Sequence, residues 1–184
     1  MRARQMLSAV ALIVLVGLTF SAVPQRPAAA SQQTLSALLP KAGQVSGWKI
    51  VPEGDLYAAN PGKLSVIYDG GDGEYIRAGV TEALSRTYQS GKTYLTVRIH
   101  KLGSDPQKAK AFYANKEGSI RKAQGYTAVA VKNGGCYAPT GGLTVGFSWT
   151  GPYMVTYVAT TTEATSATKA FILKVSANIA EVHK

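Results

Sequence analysis

The chain has 184 residues, with twenty lysines and arginines against ten acids, a formal net charge of +10, and one cysteine. A single cysteine excludes an intramolecular disulfide and a cysteine-based zinc site. No run of five or more basic residues occurs, so the charge does not form a nucleic-acid-binding stripe. The plainer reading is that it keeps an exported protein soluble; the alternative is an anionic partner such as phospholipid headgroups, lipopolysaccharide or acidic polysaccharide.

The first segment reads as a secretory signal. Arg2 and Arg4 precede an apolar run, Leu7 to Val23, interrupted by Ser8, Thr19 and Ser21, and Ala28-Ala29-Ala30 supplies a small-residue cleavage site. The run of about 17 residues is at the lower edge of a membrane span. Only Arg26 follows it, which is too little for a stop-transfer signal, and no cysteine is available for acylation. The expected organisation is a cleaved signal peptide, residues 1–30, and a single α+β domain, residues 31–184. No transmembrane segment is expected after cleavage. Removing the first 30 of 184 residues leaves 154, enough for one domain with a real core. Three cationic residues go with the leader and all ten acids stay, so the net charge becomes about +7. The expected location is periplasmic or secreted.

From Ser31 to Val45, Leu35, Leu38 and Leu39 predict a short helix or turn stopped by Pro40. Trp48 to Val51 reads as a short extended piece, and Asn60-Pro61-Gly62 as a turn and helix start. Leu64, Ile67 and Tyr68, then Tyr75, Ile76 and Gly79, recur at helical spacing. Between them lies Tyr68-Asp69-Gly70-Gly71-Asp72-Gly73-Glu74-Tyr75, with three acids and three glycines in eight positions. This segment is expected to join two short helical pieces.

Two strands follow, Leu84 to Gln89 and Tyr94 to Leu102, around the Ser90-Gly91-Lys92 turn. Leu95, Val97 and Ile99 alternate with Thr96, Arg98 and His100, the period of a half-buried strand. Ser104-Asp105-Pro106 opens a helix with an apolar face of Ala109, Phe112, Tyr113 and Ile120. Lys108, Lys110, Lys116, Arg121 and Lys122 supply its solvated side, and Gly125 is its expected end. Tyr126 to Val131, Leu143 to Trp149 and Tyr153 to Thr160 read as strands. Phe171, Val175, Ile179 and Val182 mark the inner stripe of a last helix. The tight turns join neighbouring strands and leave no room for crossovers. They predict an α+β fold: an antiparallel sheet of about five strands with helices packed on one face. Cys136, beside Gly134-Gly135, is expected to be buried.

Gly47-Trp48, Tyr57, Leu64, the Ile67 to Tyr75 stretch and Gly79 resemble a family of exported bacterial proteins of unknown function. That family has a Gly-Trp near the mature start and a Tyr-Ile-Asn-Gly-Gly-Ala-Glu-type segment. The Leu102-Gly103-Ser104 start of the following helix and the Gly142 to Val158 hairpin match more loosely. The chain departs from the pattern at three points. Asp69 stands where the family has Asn, Asp72-Gly73 where it has Ala, and the isoleucine is one place early, at Ile67. The resemblance implies export and the fold outline. It implies no activity.

Asp69, Asp72 and Glu74 could begin a calcium site, closed by Glu53 or Asp55, but the twelve-residue loop spacing is absent. The plainer reading is that Asp72 caps the second helical piece, Glu74 sits in its first turn and the glycines allow close packing. Carboxylate catalysis would need two acids separated across a cleft. A Ser-His-acid triad would have to use His100, since His183 is terminal, and Gly146-Phe147-Ser148-Trp149-Thr150 lacks the last glycine of a nucleophile elbow. Gly70-Gly71-Asp72-Gly73 has no following Lys-Ser or Lys-Thr to cradle phosphate. Neither catalytic residues, a metal nor a cofactor is therefore assigned.

The aromatic residues of the last hairpin are the remaining signal. Phe147 and Trp149 share one face, and Tyr153 and Tyr157 share one. The preferred expectation is a non-catalytic binding module of the cell envelope. Its ligand-binding residues would be Tyr68, Asp69, Asp72, Glu74, Trp149 and Tyr153. Its partner would be a small molecule, glycan, lipid or envelope protein. The alternatives are a hydrolase using the Asp69–Glu74 carboxylates and a structural or assembly partner linked through Cys136.

Overall fold

A computed structural model describes residues 28–52 and 54–182. The Leu7 to Val23 run with Arg2, Arg4 and Arg26, and also Glu53 and His183, lie outside the described residues. Helix α1, Ala28–Leu38, stops just short of Pro40, and the three alanines of the expected cleavage site form its first turn. The short strands β1, Lys49–Ile50, and β2, Leu56–Ala58, follow. A 3-10 turn at Pro61–Lys63 leads into two short helices, α2, Ser65–Tyr68, and α3, Gly73–Ala78. The hairpin is β3, Glu82–Ser90, with β4, Thr93–Lys101.

Helix α4, Pro106–Ile120, begins at Asp105, whose side chain accepts from Gln107 N at 2.9 Å. It ends five residues before Gly125, the expected stop. The meander β5, Thr127–Val129, β6, Gly135–Thr140, β7, Leu143–Thr150, and β8, Tyr153–Ala159, leads to α5, Thr165–Val182. The inner stripe of α5 is Phe171, Ile172, Val175 and Ile179. Val182, assigned to that stripe from its spacing, is 56% exposed and lies beside α1 at the edge of the fold.

All strands join one antiparallel sheet in the order β1-β3-β4-β8-β7-β6-β5, with β2 also paired to β3. The α+β class and the antiparallel sheet agree with the sequence reading. Eight strands replace the expected five. Gly141 and Gly142 both adopt left-handed φ (56° and 80°) and fold one apparent run into β6 and β7. β2 is too short to leave a period in the sequence, and β1 is the short extended piece at Trp48 to Val51, not counted among the five.

Helices cover both faces of the sheet, not one. One face packs Leu84, Tyr88, Leu95, Val97, Ile99, Val155 and Tyr157 against Leu35, Leu38 and Leu39 of α1 and the inner stripe of α5. The other packs Ala83, Cys136, Phe147 and Met154 against Leu64, Ile67 and Tyr75 of α2–α3 and Ala109, Phe112, Tyr113 and Ile120 of α4. Apolar residues on both sides of the central strands require this, since an uncovered side would leave them in water.

The first face is sealed closely. Tyr88 donates to Pro40 O at 2.8 Å, and Asn178 of α5 donates to Leu38 O at 3.2 Å. Arg86 grips Asp55 with Nε at 2.7 Å and Nη2 at 2.6 Å, and Nη2 also reaches Ser36 Oγ at 2.6 Å, tying α1 to the sheet. At Gly146 a Cβ would stand 2.9 Å from Thr168 Cγ2 and 3.3 Å from Ile172 Cδ1, so α5 lies directly on the strand backbone there. Gly146→Ala is expected to lower the unfolding free energy by about 1–3 kcal/mol through overpacking, as read from urea denaturation.

Candidate functional site

The glycine–acid segment forms the corner between α2 and α3. Asp69 ends α2 with φ 45°, the left-handed region that short polar residues and glycine tolerate best. Gly70 continues it with φ 87°. Asp69 N donates to Ser65 O at 3.0 Å and Gly71 N to Tyr68 O at 3.0 Å, closing the turn. Asp72 occupies the N-cap position of α3, as expected, but its side chain makes no capping hydrogen bond. Glu74, in the first turn, reaches across to form an ion pair with Lys116 of α4.

The two tyrosines that bracket the corner turn inward and stack, with ring centroids 3.9 Å apart and planes at 15°. Tyr75 also stacks on His100 of β4 at 5.0 Å and meets Phe112 of α4 edge-on at 5.4 Å. Lys116 Nζ lies 5.2 Å from the Tyr75 ring centroid and 5.5 Å from that of Phe112. This aromatic plug joins α2, α3, α4 and the sheet.

His100 is its peg. The side chain has no exposed surface. Nδ1 lies 2.9 Å from the Met154 carbonyl, which can only accept, so Nδ1 carries the proton. Nε2 is then the acceptor, and the Tyr68 hydroxyl donates to it. Burial lowers the His100 pKa to about 3, against the opposing pull of the Met154 carbonyl, and Arg98 and Lys116 lower it further. Burial likewise holds the Tyr68 proton on, well above the usual phenol range. Burial, with the charge of Glu74, raises Tyr75 to about 12. All three rings are neutral and closed into the fold. None presents a free base or nucleophile.

Because the folded-state pKa of His100 lies below its unfolded value, the unfolded chain binds more protons between the two. The contribution of His100 is complete above about pH 6.5 and is lost as pH falls toward 3. Unfolding free energy is expected to drop by about 1.4 kcal/mol per pH unit from this residue below pH 6. His100→Gln should be less stable at pH 7 and show a flatter profile between pH 6 and 5, as measured by urea denaturation.

The structure divides the six residues expected to bind a ligand. Tyr68, Asp69, Asp72 and Glu74 share the corner, but Tyr68 is committed to the plug and Glu74 to Lys116. Trp149 lies on the same sheet face, in the cross-strand row His100–Met154–Trp149, and is half-buried over Gly134. Tyr153 lies on the opposite face, 5% exposed, and takes no part in this surface. Among the described residues no group of three or more His, Cys, Asp or Glu side chains is placed to hold a metal ion. Asp55, considered as a closing ligand, is held by Arg86 on the other face, and Glu53 is outside the described residues.

Cys136 is fully buried, as expected, and burial raises its thiol to about 11. A thiol reagent is expected to label no cysteine in the native protein and one after denaturation, as counted by mass spectrometry. Native labelling would reopen the covalent-partner reading.

Strand register exposes a feature that the sequence reading did not pick out. The row Ser85–Arg98–Thr156–Phe147 lies one step from the plug, on the same face. The next row is Thr87–Thr96–Val158–Val145, and the next is Gln89–Tyr94, followed by Leu143. Helix α4 packs over β6, β7 and β8, and α2 packs over β2 and β3. β4 lies between them in the sheet order, with Tyr68, Tyr75 and Phe112 set on its His100 end. Thr87, Thr96, Val145 and Val158 are half-buried, whereas Tyr94 is 41% and Leu143 37% exposed. The result is a partly exposed strip of sheet surface along β4, a shallow trough that starts at the aromatic plug and runs out to the hairpin end.

Arg98 stands at the plug end. Its guanidinium carbon is 5.8 Å from the Tyr68 ring centroid. Its Nε is fully buried and has no hydrogen-bond partner among the described residues. The three ion pairs among those residues, Arg86–Asp55, Lys101–Glu82 and Lys116–Glu74, do not include it. The alternation Thr96-Arg98-His100 was the only sequence signal for this face. The partner strands and the missing cover could not be read from it.

Comparison of the chain with protein-family models, with curated proteins and with solved structures finds no match. Among the described residues, no helix is long and apolar enough to cross a membrane.

Proposed function

We propose that the protein is an exported, non-catalytic binding module whose ligand lies in the trough along β4. The observation that carries this is the contrast between the sheet's two faces. On the α1–α5 side, Tyr88, Leu95 and Val97 are sealed, at 2% exposure or less. On the other side, the same stretch of β3 and β4 leaves Thr87, Thr96 and Tyr94 accessible, with Val145 and Val158 alongside. A strip of mixed apolar and hydroxyl surface beside two helical units has the chemistry of a ligand site.

Export rests on the leader-like N-terminus. The non-catalytic reading rests on the way the reactive groups are used. His100 and Cys136 are buried, Glu74 is paired, and Asp69 and Asp72 sit at helix ends. The aromatic surface expected from the sequence is thereby moved. Tyr68 stays at its edge, Trp149 lies to one side, and Tyr153 drops out.

A thermal-shift screen of small amphiphiles, glycans and peptides tests the reading, since a ligand that binds only the native state raises Tm. Ligands found with the natural protein should lose at least about tenfold in affinity for Thr96→Trp, which fills the trough floor. Equal affinity for both proteins would move the site elsewhere.

A further inference from the structure

Resting on the reading of the trough as a binding site, we propose that it takes a single-chain anionic amphiphile, its oxyanion head on Arg98 and its apolar body along Val158 and Val145 toward Tyr94. Three observations lead there. Arg98 is half-buried, makes none of the ion pairs among the described residues, and has a fully buried Nε without a partner, so the accessible part of its guanidinium is left for an acceptor from outside. A carboxylate or phosphate monoester is the acceptor that guanidinium geometry fits best, because two parallel N–H groups meet two oxygens.

The charge of the surroundings agrees. The cross-strand rows that floor the trough contain Arg98, and Lys49 pairs with Gln89 at the outer row, but they contain no carboxylate. Of the three acids on the adjoining corner, Glu74 is paired with Lys116 of α4, while Asp69 and Asp72 form no ion pair among the described residues. An anion on the strip itself therefore meets Lys49 at the outer row and Arg98 at the far end, with Asp69 and Asp72 on the corner that carries Tyr68.

The shape sets the body of the ligand. From Arg98 to Tyr94 is four residues along β4, about 13 Å at strand rise, which suits a medium-length alkyl chain. The side chains between are Thr96 and, on the neighbouring strands, Val158 and Thr87. The Thr87 and Thr96 hydroxyls bond each other at 3.1 Å, so they present little unmet polarity to an apolar chain. The ring of Tyr68, over which the Arg98 guanidinium sits, closes the head site on one side.

The test is an amide-resolved NMR titration of the purified protein with dodecanoate below its micelle concentration. Uncharged dodecanol, inorganic phosphate and vesicles of anionic phospholipid form the parallel arms. Dodecanoate should shift the signals of Thr96, Arg98 and Val158 saturably. Arg98→Gln should weaken it about tenfold or more, while Arg98→Lys retains part of the affinity. Arg98→Gln should also leave Tm unchanged or raise it, because it removes an unsatisfied buried donor. A clear fall in Tm would make Arg98 a structural residue and overturn the assignment. So would unchanged dodecanoate affinity in Arg98→Gln. Dodecanol binding as tightly at the same residues would overturn the anionic head and leave the trough a binding site. Binding to vesicles alone would replace the single-chain ligand with a membrane surface. The absence of any shift with dodecanoate overturns this proposal, and the Thr96→Trp comparison then decides the trough itself.

Discussion

Both ring nitrogens of His100 are engaged inside the fold, one donating to the Met154 carbonyl and one accepting from Tyr68. That pair of bonds fixes where the α2–α3 corner can sit. Tyr68 must lie over β4, Tyr75 must stack beneath it, and Phe112 must meet the stack edge-on. Helix α4 is thus placed on one side of β4 and the corner on the other. The arrangement works only with a neutral imidazole, and burial ensures that state at neutral pH. A cation there would lose the acceptor that Tyr68 needs.

The two faces of the sheet follow different packing rules as a result. The α1–α5 face is closed by aliphatic interdigitation, by Gly146 under α5, and by the Arg86–Asp55–Ser36 clasp. The opposite face is closed by aromatic stacking at one end and is left open at the other. The helices on this side meet β4 at the plug, through Tyr68, Tyr75 and Phe112 on His100. Beyond the plug, Thr87, Thr96, Val145 and Val158 stay half-buried and Tyr94 and Leu143 are exposed. The strip is where the only fully buried guanidinium nitrogen without a partner among the described residues is found.

The glycine–acid segment takes a different meaning in this setting. Its glycines and Asp69 supply left-handed backbone for a tight corner, and its tyrosines supply the plug. Its acids are helix-end and ion-pair residues. The concentration of charge and glycine in eight residues is therefore largely architectural. Its bearing on function is indirect: by holding Tyr68 over Arg98, it shapes the plug end of the trough.

Local signals determined a good deal. The β3–β4 hairpin, the capped start of α4, the two helical pieces around the glycines and the burial of Cys136 all follow from short-range rules of period, turn and capping. Those rules act within a few residues, so they survive without knowledge of the rest of the chain. Strand count fell short at β2, too brief to leave a period, at β1, read as an extended piece but not counted in the sheet, and where a double-glycine turn split β6 from β7. The number of covered faces failed because alternation shows only that one side is apolar. His100, Arg98 and Thr96 read as the polar side of a strand. Their separate fates, as peg, unpaired cation and open floor, were decided by which helices cross above them. That is a matter of long-range packing, which no local period contains.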